Sequence, residues 1–219
     1  MTQPRTTGWR WRVAQRAELQ WWQRYLDGQR PELYLNWKRD YWRAFLRDNN
    51  LQLPPGARVL DAGCGPAGIF TVLPDHAVTA LDPLLDEYAA KLPHFTPADY
   101  PYVDFVSGAL EDYTTDVRFD YIFCLNAINH VADMDRALDR LVATLAPGGT
   151  LALSIDAHRH SWLKPIFRAL PGDILHPQQH DLPDYQQALD RRGLLLDRSQ
   201  LLKREAIFDY YLLTAHQPS

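Results

Sequence analysis

From Arg58 onward the chain alternates two kinds of apolar pattern. Short apolar runs at Arg58–Ala62, Ala77–Asp82, Tyr102–Ser107, Tyr121–Leu125 and Thr150–Ile155 read as strands. Between them, Leu84–Leu92 and Met134–Leu145 carry a helical period. Asp133 is placed to cap the second of these, and Pro147-Gly148-Gly149 to end it. Asp184–Arg192 reads as a further helix stopped by Gly193. Leu194–Leu202 and Ala206–Ala215 read as strands with a short turn between them, which predicts an antiparallel closing pair. Strand and helix in alternation predict a mostly parallel sheet with helices on both faces, an α/β fold.

The amino-terminal part follows a different pattern. Val13–Leu26 shows a rough helical stripe through Ala14, Ala17, Leu19, Trp21, Trp22, Tyr25 and Leu26. Pro31 suits the first turn of a second helix, with Leu35, Trp42, Phe45 and Leu46 on its apolar side. Six tryptophans (Trp9, Trp11, Trp21, Trp22, Trp37 and Trp42) precede the first core strand, and Pro54-Pro55-Gly56 closes the region. So many large rings in a short stretch need a surface to bury against. Residues 1–52 therefore read as a helical cap that is not independent, and residues 53–219 as the core.

Composition narrows the class. At 219 residues, 46% apolar and 23% charged, the chain has the make-up of one globular domain with a sizeable core. No apolar run approaches the roughly 20 residues that span a bilayer, and MTQPRTTGWRWR lacks the apolar stretch of a signal peptide. With two cysteines, Cys64 and Cys124, there is no disulfide framework, and a reducing cytoplasm is the expected compartment. The net charge of −4 is uneven. Residues 1–48 hold ten Lys/Arg against five Asp/Glu, a surplus of +5, while the rest hold thirteen against twenty-two, a deficit of −9. The basic residues are spread rather than blocked, which fits a solvated helix face better than a nucleic-acid arm.

The chemistry concentrates in Val59–Gly68, VLDAGCGPAG. An apolar run ends in Asp61, and Gly63, Gly65 and Gly68 follow. Twenty-one positions after Asp61, a second apolar run ends in Asp82. A strand, a glycine turn, a short helix and a second strand with a terminal acid make a nucleotide-binding unit. Glycines allow a sharp turn and close backbone approach to a ligand, and a strand-end acid can accept both hydroxyls of a ribose. The glycine spacing also satisfies a dinucleotide fingerprint. Asp61 argues against one, because a carboxylate two residues before the first glycine repels a pyrophosphate but not an ammonium or a sulfonium.

On these residues the chain resembles the class I S-adenosylmethionine-dependent methyltransferases. Val59–Gly68 resembles their motif I and Leu81-Asp82-Pro83 their second-strand acid. Phe119–Asn126 resembles their fourth strand, and Leu145-Ala146-Pro147-Gly148-Gly149-Thr150-Leu151 their turn into the fifth. The resemblance implies a Rossmann-like seven-stranded, mostly parallel sheet with an antiparallel final hairpin, and S-adenosyl-L-methionine as cofactor. It puts the methionine end by Asp61, Gly63, Cys64 and Gly65, the ribose on Asp82, and the adenosine near Pro83, Ala109 and Leu110. The family commonly has an acid after the third strand; here Ala109 stands there, and Glu111 is either a substitute or a helix-start acid. Ala67 stands where many relatives have glycine. Asn126, at the fourth strand's tip, would meet the methionine moiety or the acceptor, or would cap its own loop.

Methyl transfer needs a base only where the acceptor arrives protonated. Histidine suits that role near neutral pH, and His130 and His180 are the candidates, with His158, His160 and His176 also near the predicted strand ends. His130 fits a structural, hydrogen-bonded histidine somewhat better than a catalytic one. Asp156-x-His158-x-His160 invites a metal reading, but the fourth-strand tip offers Asn126 and no acid for a hard cation, so no metal is expected. The partner expected is a small, partly apolar or aromatic acceptor, with no membrane insertion. The alternatives are an RNA or protein methyltransferase using the basic arm, and a non-catalytic protein that binds the cofactor. No Asn-Pro-Pro-Tyr or Asp-Pro-Pro-Tyr amino-methylation signature follows the fourth strand.

Overall fold

The computed structural model describes residues 9–158, 180–205 and 208–218. Seven strands form one sheet: β1 (Arg58–Ala62), β2 (Ala77–Asp82), β3 (Val103–Ser107), β4 (Phe119–Cys124), β5 (Leu145–His158), β6 (Leu195–Arg204) and β7 (Phe208–His216). Their order is β3-β2-β1-β4-β5-β7-β6. The first five strands are parallel, and β7 lies antiparallel between β5 and β6. The α/β class, the strand number and the closing antiparallel pair are as the sequence predicts. The chain steps outward from β1 to β2 and β3, then returns to the other side of β1 as β4. That reversal opens a crevice at the carboxyl ends of β1 and β4, where sheets of this kind bind ligands.

The central strands are buried on both faces, so their side chains alternate between two cores. Val59, Val78, Ala80 and Phe123 pack on one side beneath α1 (Trp9–Leu26), α2 (Pro31–Asp48) and α3 (Leu85–Lys91). Leu60, Leu81, Ile122 and Cys124 pack on the other beneath α4 (Met134–Thr144) and α5 (Leu182–Asp190). The first two helices share the sheet's core instead of forming their own. Leu19, Leu26, Tyr34, Trp42 and Phe45 lie in the same apolar cluster as Val59 and Phe70. The Trp42 indole donates to the Ala67 carbonyl at 2.9 Å, fastening α2 to the glycine turn. Among the described residues no helix is long and apolar enough to cross a membrane.

Three departures from the sequence reading have local causes. After the glycine turn the chain makes two 3-10 turns, Gly65–Ala67 and Ile69–Val72, rather than an α-helix. The helix expected from Asp184 begins at Leu182, because Asp181 caps it. Its carboxylate accepts the Asp184 N–H at 3.2 Å and Asp184 returns the bond at 3.1 Å, a reciprocal capping box. Strand β5 also starts before Thr150. Leu145 already pairs with Phe119, and pairing resumes at Tyr121 with Thr150. The residues between bulge out through Gly148, at φ +71°, and Gly148 and Gly149 exchange backbone bonds with Gln217 at 2.9 and 3.0 Å.

Candidate functional site

The glycine turn is built by competing demands for space. Gly63 and Gly65 have φ of +75° and +58°, a left-handed conformation that glycine adopts without strain. The Gly63 and Cys64 N–H groups both donate to the Leu81 carbonyl, at 2.7 and 3.2 Å, which pins the turn to the end of β2. A side chain at Gly63 would meet the Ala127 methyl at 2.3 Å. Gly68 has an ordinary φ of −74° and is needed for room alone. A Cβ there would lie 2.3 Å from an Asp61 oxygen and 2.6 Å from the Cys64 carbonyl. This third glycine lets the chain pass Asp61, and Ala67 is tolerated one position earlier. The Cys64 thiol is buried and held protonated by burial and by the facing Asp61 and Asp82.

The two motif carboxylates are occupied differently. Asp61 is buried, and its Oδ2 accepts the Phe70 N–H at 3.1 Å. It therefore holds the far end of its own loop. Burial, with repulsion from Asp82, raises its pKa to about 7. Asp82 accepts the Gly65 N–H at 3.0 Å and the Leu84 N–H at 2.9 Å, joining the glycine turn to the start of the next loop. Burial raises its pKa to about 6 against these two bonds. Pro83 is half-buried beside it. The Gly108 N–H donates to the Asp82 carbonyl at 3.2 Å, which brings Ala109 and Leu110 to the same strand end. Glu111, the other acid considered there, is buried and accepts the Ala132 N–H at 2.7 Å, so it ties β3 to the entry of α4.

Across the crevice, Asn126 follows β4 at φ +55°, with its N–H on the Ser154 hydroxyl at 2.6 Å and its side chain exposed. Its amide caps nothing among the described residues. His130 ends the next turn, Ile128–His130, half-buried. His180 lies 3.7 Å from Asp184 and edge-on to Tyr185, 5.6 Å between ring centres. The Tyr185 hydroxyl donates to Asn129 at 2.8 Å. Tyr185 thus links the start of α5, where His180 lies, to the turn that carries His130. The His158 side chain, His160 and His176 lie outside the described residues.

The structure adds residues from the first two helices that sequence reasoning missed. Trp22 on α1 reaches the turn, its nearest ring atom 3.6 Å from the Cβ position of Gly65. Glu18, one helical turn earlier, faces Asp82, Trp22 and Tyr88. Lys38 on α2 is half-buried, with its ammonium 5.6, 5.4 and 5.1 Å from the ring centres of Trp37, Tyr41 and Trp42. Burial lowers its pKa, and it faces Asp61. The available signals were weak. Glu18 and Lys38 are charged positions on helices whose apolar stripe was the visible feature, and charged residues there read as solvated.

A glycine cradle against a strand-end acid, at the switch point of this sheet order, is the geometry on which comparison with known proteins turns. Residues 34–199 match the family model described as a methyltransferase domain. The chain belongs to that family. With its seven strands and closing antiparallel pair it falls in the class I S-adenosylmethionine-dependent group. The ubiquinone biosynthesis O-methyltransferase of Nitrobacter winogradskyi is 39% identical over 103 residues, which are 45% of this chain and 38% of that protein. The 2-methyl-6-phytyl-1,4-hydroquinone methyltransferase of a Synechocystis species is 27% identical over 173 residues, 74% of this chain and 54% of that one. The chain spans about half the length, or less, of these curated relatives. Among solved structures, the 1,6-didemethyltoxoflavin-N1-methyltransferase of Burkholderia thailandensis superposes with a TM-score of 0.64 at 19% identity, covering 100% of this chain and 94% of that one.

Proposed function

We propose that this protein transfers the methyl group of S-adenosylmethionine to a small, partly apolar or aromatic acceptor. The observation that carries the reading is Asp82, which is buried at the tip of β2 and bonded to the Gly65 N–H of the cradle. The residues fit the cofactor. Gly63 and Gly65 add no side chain of their own to the turn, and Asp82 retains lone pairs for ribose hydroxyls beyond its two backbone bonds. Lys38, facing Asp61 over the turn, supplies a cation for the carboxylate of the methionine end. Asp61 organises the loop and places a negative charge near the ammonium, while Cys64 contributes backbone. Pro83, Ala109 and Leu110 flank the adenosine, and Asn126 stands where methionine end and acceptor meet.

The cofactor, when bound, supplies an activated methyl and its own leaving group. What this chain must supply is alignment and exclusion of water. Residues 1–52 do so as a cap over the acceptor side of the core, residues 53–219. Their rings also favour a sulfonium by cation–π attraction. His130 and His180 stand at one corner of the crevice, where either can take a proton from a hydroxyl acceptor. The two curated relatives are named for ubiquinone biosynthesis and for a hydroquinone, which supports a ring hydroxyl or ring carbon as the acceptor.

Calorimetric titration with S-adenosylhomocysteine and with NAD tests the reading, followed by transfer of labelled methyl to catechol and hydroquinone acceptors. Binding of the first ligand only is expected, and NAD binding alone would overturn it. In the same titration Lys38→Met should weaken S-adenosylhomocysteine about tenfold or more, the scale of one charge-assisted bond. It should leave 5′-methylthioadenosine, which has no carboxylate, unchanged. Equal losses for both ligands would remove Lys38 from the role.

A further inference from the structure

Glu18, Tyr88 and Trp22 form a group at the cradle that neither the motifs nor the family match assigns. Glu18 and Trp22 are four apart on α1 and so share a face. Trp22 lies against Gly65 and edge-on to Tyr88, with 6.3 Å between ring centres. Tyr88, on α3, is fully buried, and its hydroxyl has no hydrogen-bond partner. Glu18 is beside that hydroxyl, where the Tyr88 and Trp22 donors favour its charged form, and it faces Asp82 closely enough for the two carboxylates to repel. The groups around Glu18 are Asp82 from β2, Tyr88 from α3 and Trp22 from its own helix, with the Cys64 thiol beyond Tyr88. None of these described residues is a cation, and Lys38 faces Asp61 instead.

Two mostly buried carboxylates that repel each other, with the unsatisfied Tyr88 phenol beside them, are costly without further donors. A vicinal diol answers that arrangement. It brings one O–H donor for each carboxylate, and its oxygens accept from the phenol. We propose that Glu18 is a second ribose ligand, laid opposite Asp82 by α1 so that the cofactor's two ribose hydroxyls donate to two carboxylates and the Tyr88 hydroxyl donates to a ribose oxygen. This rests on the cofactor reading above. Donation from a hydroxyl favours the ionised acid. The free Glu18 has its pKa raised by burial and by Asp82 to about 7. Cofactor binding therefore releases a proton below that pH, and affinity rises with pH through about 7 before levelling off.

The test is calorimetric titration of the full chain with S-adenosylhomocysteine and with its 2′-deoxy analogue from pH 5.5 to 8.5, in buffers of different ionisation enthalpy. Wild type is compared with Glu18→Gln, an isostere that puts a neutral group in the same place and so should not unfold the chain. At pH 8 the variant should bind S-adenosylhomocysteine about tenfold more weakly, the scale of one hydrogen bond to a charged group. It should discriminate less against the deoxy analogue and release fewer protons near pH 6.5. Unchanged affinity and proton release in Glu18→Gln, with wild type binding normally, would overturn the Glu18 inference alone. Failure of wild type to bind S-adenosylhomocysteine at any pH would overturn the cofactor reading and this inference with it.

Discussion

Three carboxylates, Glu18, Asp61 and Asp82, are gathered at one end of the sheet, and each is pushed upward in pKa chiefly by burial, to about 7, 7 and 6. The sign of the consequence follows from linkage. In the unfolded chain these groups titrate near 4, so between pH 4 and 7 the folded state holds more protons. Stability is then greatest at the acid end of that window and falls as pH rises toward 7, levelling off above. The slope is bounded at about 1.4 kcal/mol per pH unit for each group. Urea midpoints of the ligand-free protein at pH 5, 6, 7 and 8 should decrease in that order, with the smallest step last. A midpoint that rises across the range would mean that the three acids are ionised and paired in the free protein. Saturating S-adenosylhomocysteine should flatten the profile, because hydroxyl and ammonium donors favour the charged carboxylates.

At the level of elements, the glycine turn shows how one short loop is shaped by two separate constraints. Gly63 and Gly65 answer a backbone requirement, whereas Gly68 answers a volume requirement set by Asp61 and Cys64. Gly68→Ala should therefore cost at least about 2 kcal/mol by overpacking, more if Asp61 loses the Phe70 N–H. Gly193→Ala is the contrasting case. Its φ is +75° and nothing lies within 4 Å, so the cost should be about 1 kcal/mol of backbone strain. Denaturant midpoints of the two variants decide this, and equal losses would refute the volume argument. The boundaries of β1 and β2 were legible in the chain because an apolar run meets a sharp stop on each side, Gly56 and Gly63 for one, His76 and Pro83 for the other. The start of β5 was not, because Pro147-Gly148-Gly149 reads as a stop in any local window. Only Phe119 and Gln217, distant in sequence, make it a bulge within a strand. Glu18, Lys38 and Tyr88 were illegible for the same reason. Their roles depend on which helix crosses which strand end, and local pattern carries no such information.

For the whole molecule, the uneven charge and the crowd of tryptophans come together in the first two helices. Their ion pairs among the described residues are internal, Arg30–Glu32, Arg43–Asp40 and Arg47–Asp48, all well exposed and worth little each. The helices are held to the core by burial instead, and they do so unequally. Helix α2 buries Tyr34, Trp42 and Phe45 and bonds Ala67, while α1 buries Leu19 and Leu26 and reaches the site through Glu18 and Trp22. The larger share of the anchoring thus falls to α2, which also carries Lys38, and a chain beginning at Gly28 removes the contribution of α1 alone. It keeps α2, the glycine cradle and Asp82, so it should fold with a lower melting temperature. It loses Glu18, so S-adenosylhomocysteine should bind at least tenfold more weakly, on the scale of one charge-assisted bond. It also loses the rings of α1, so the acceptor would meet the cofactor in a wetter, less aligned pocket, and methyl transfer should fall much further than affinity. Circular dichroism melting, calorimetric titration and labelled-methyl transfer on the same preparation measure the three quantities. Undiminished turnover at saturating cofactor would show that α1 does not cover the acceptor. Loss of turnover in proportion to lost affinity would confine α1 to the cofactor side of the crevice.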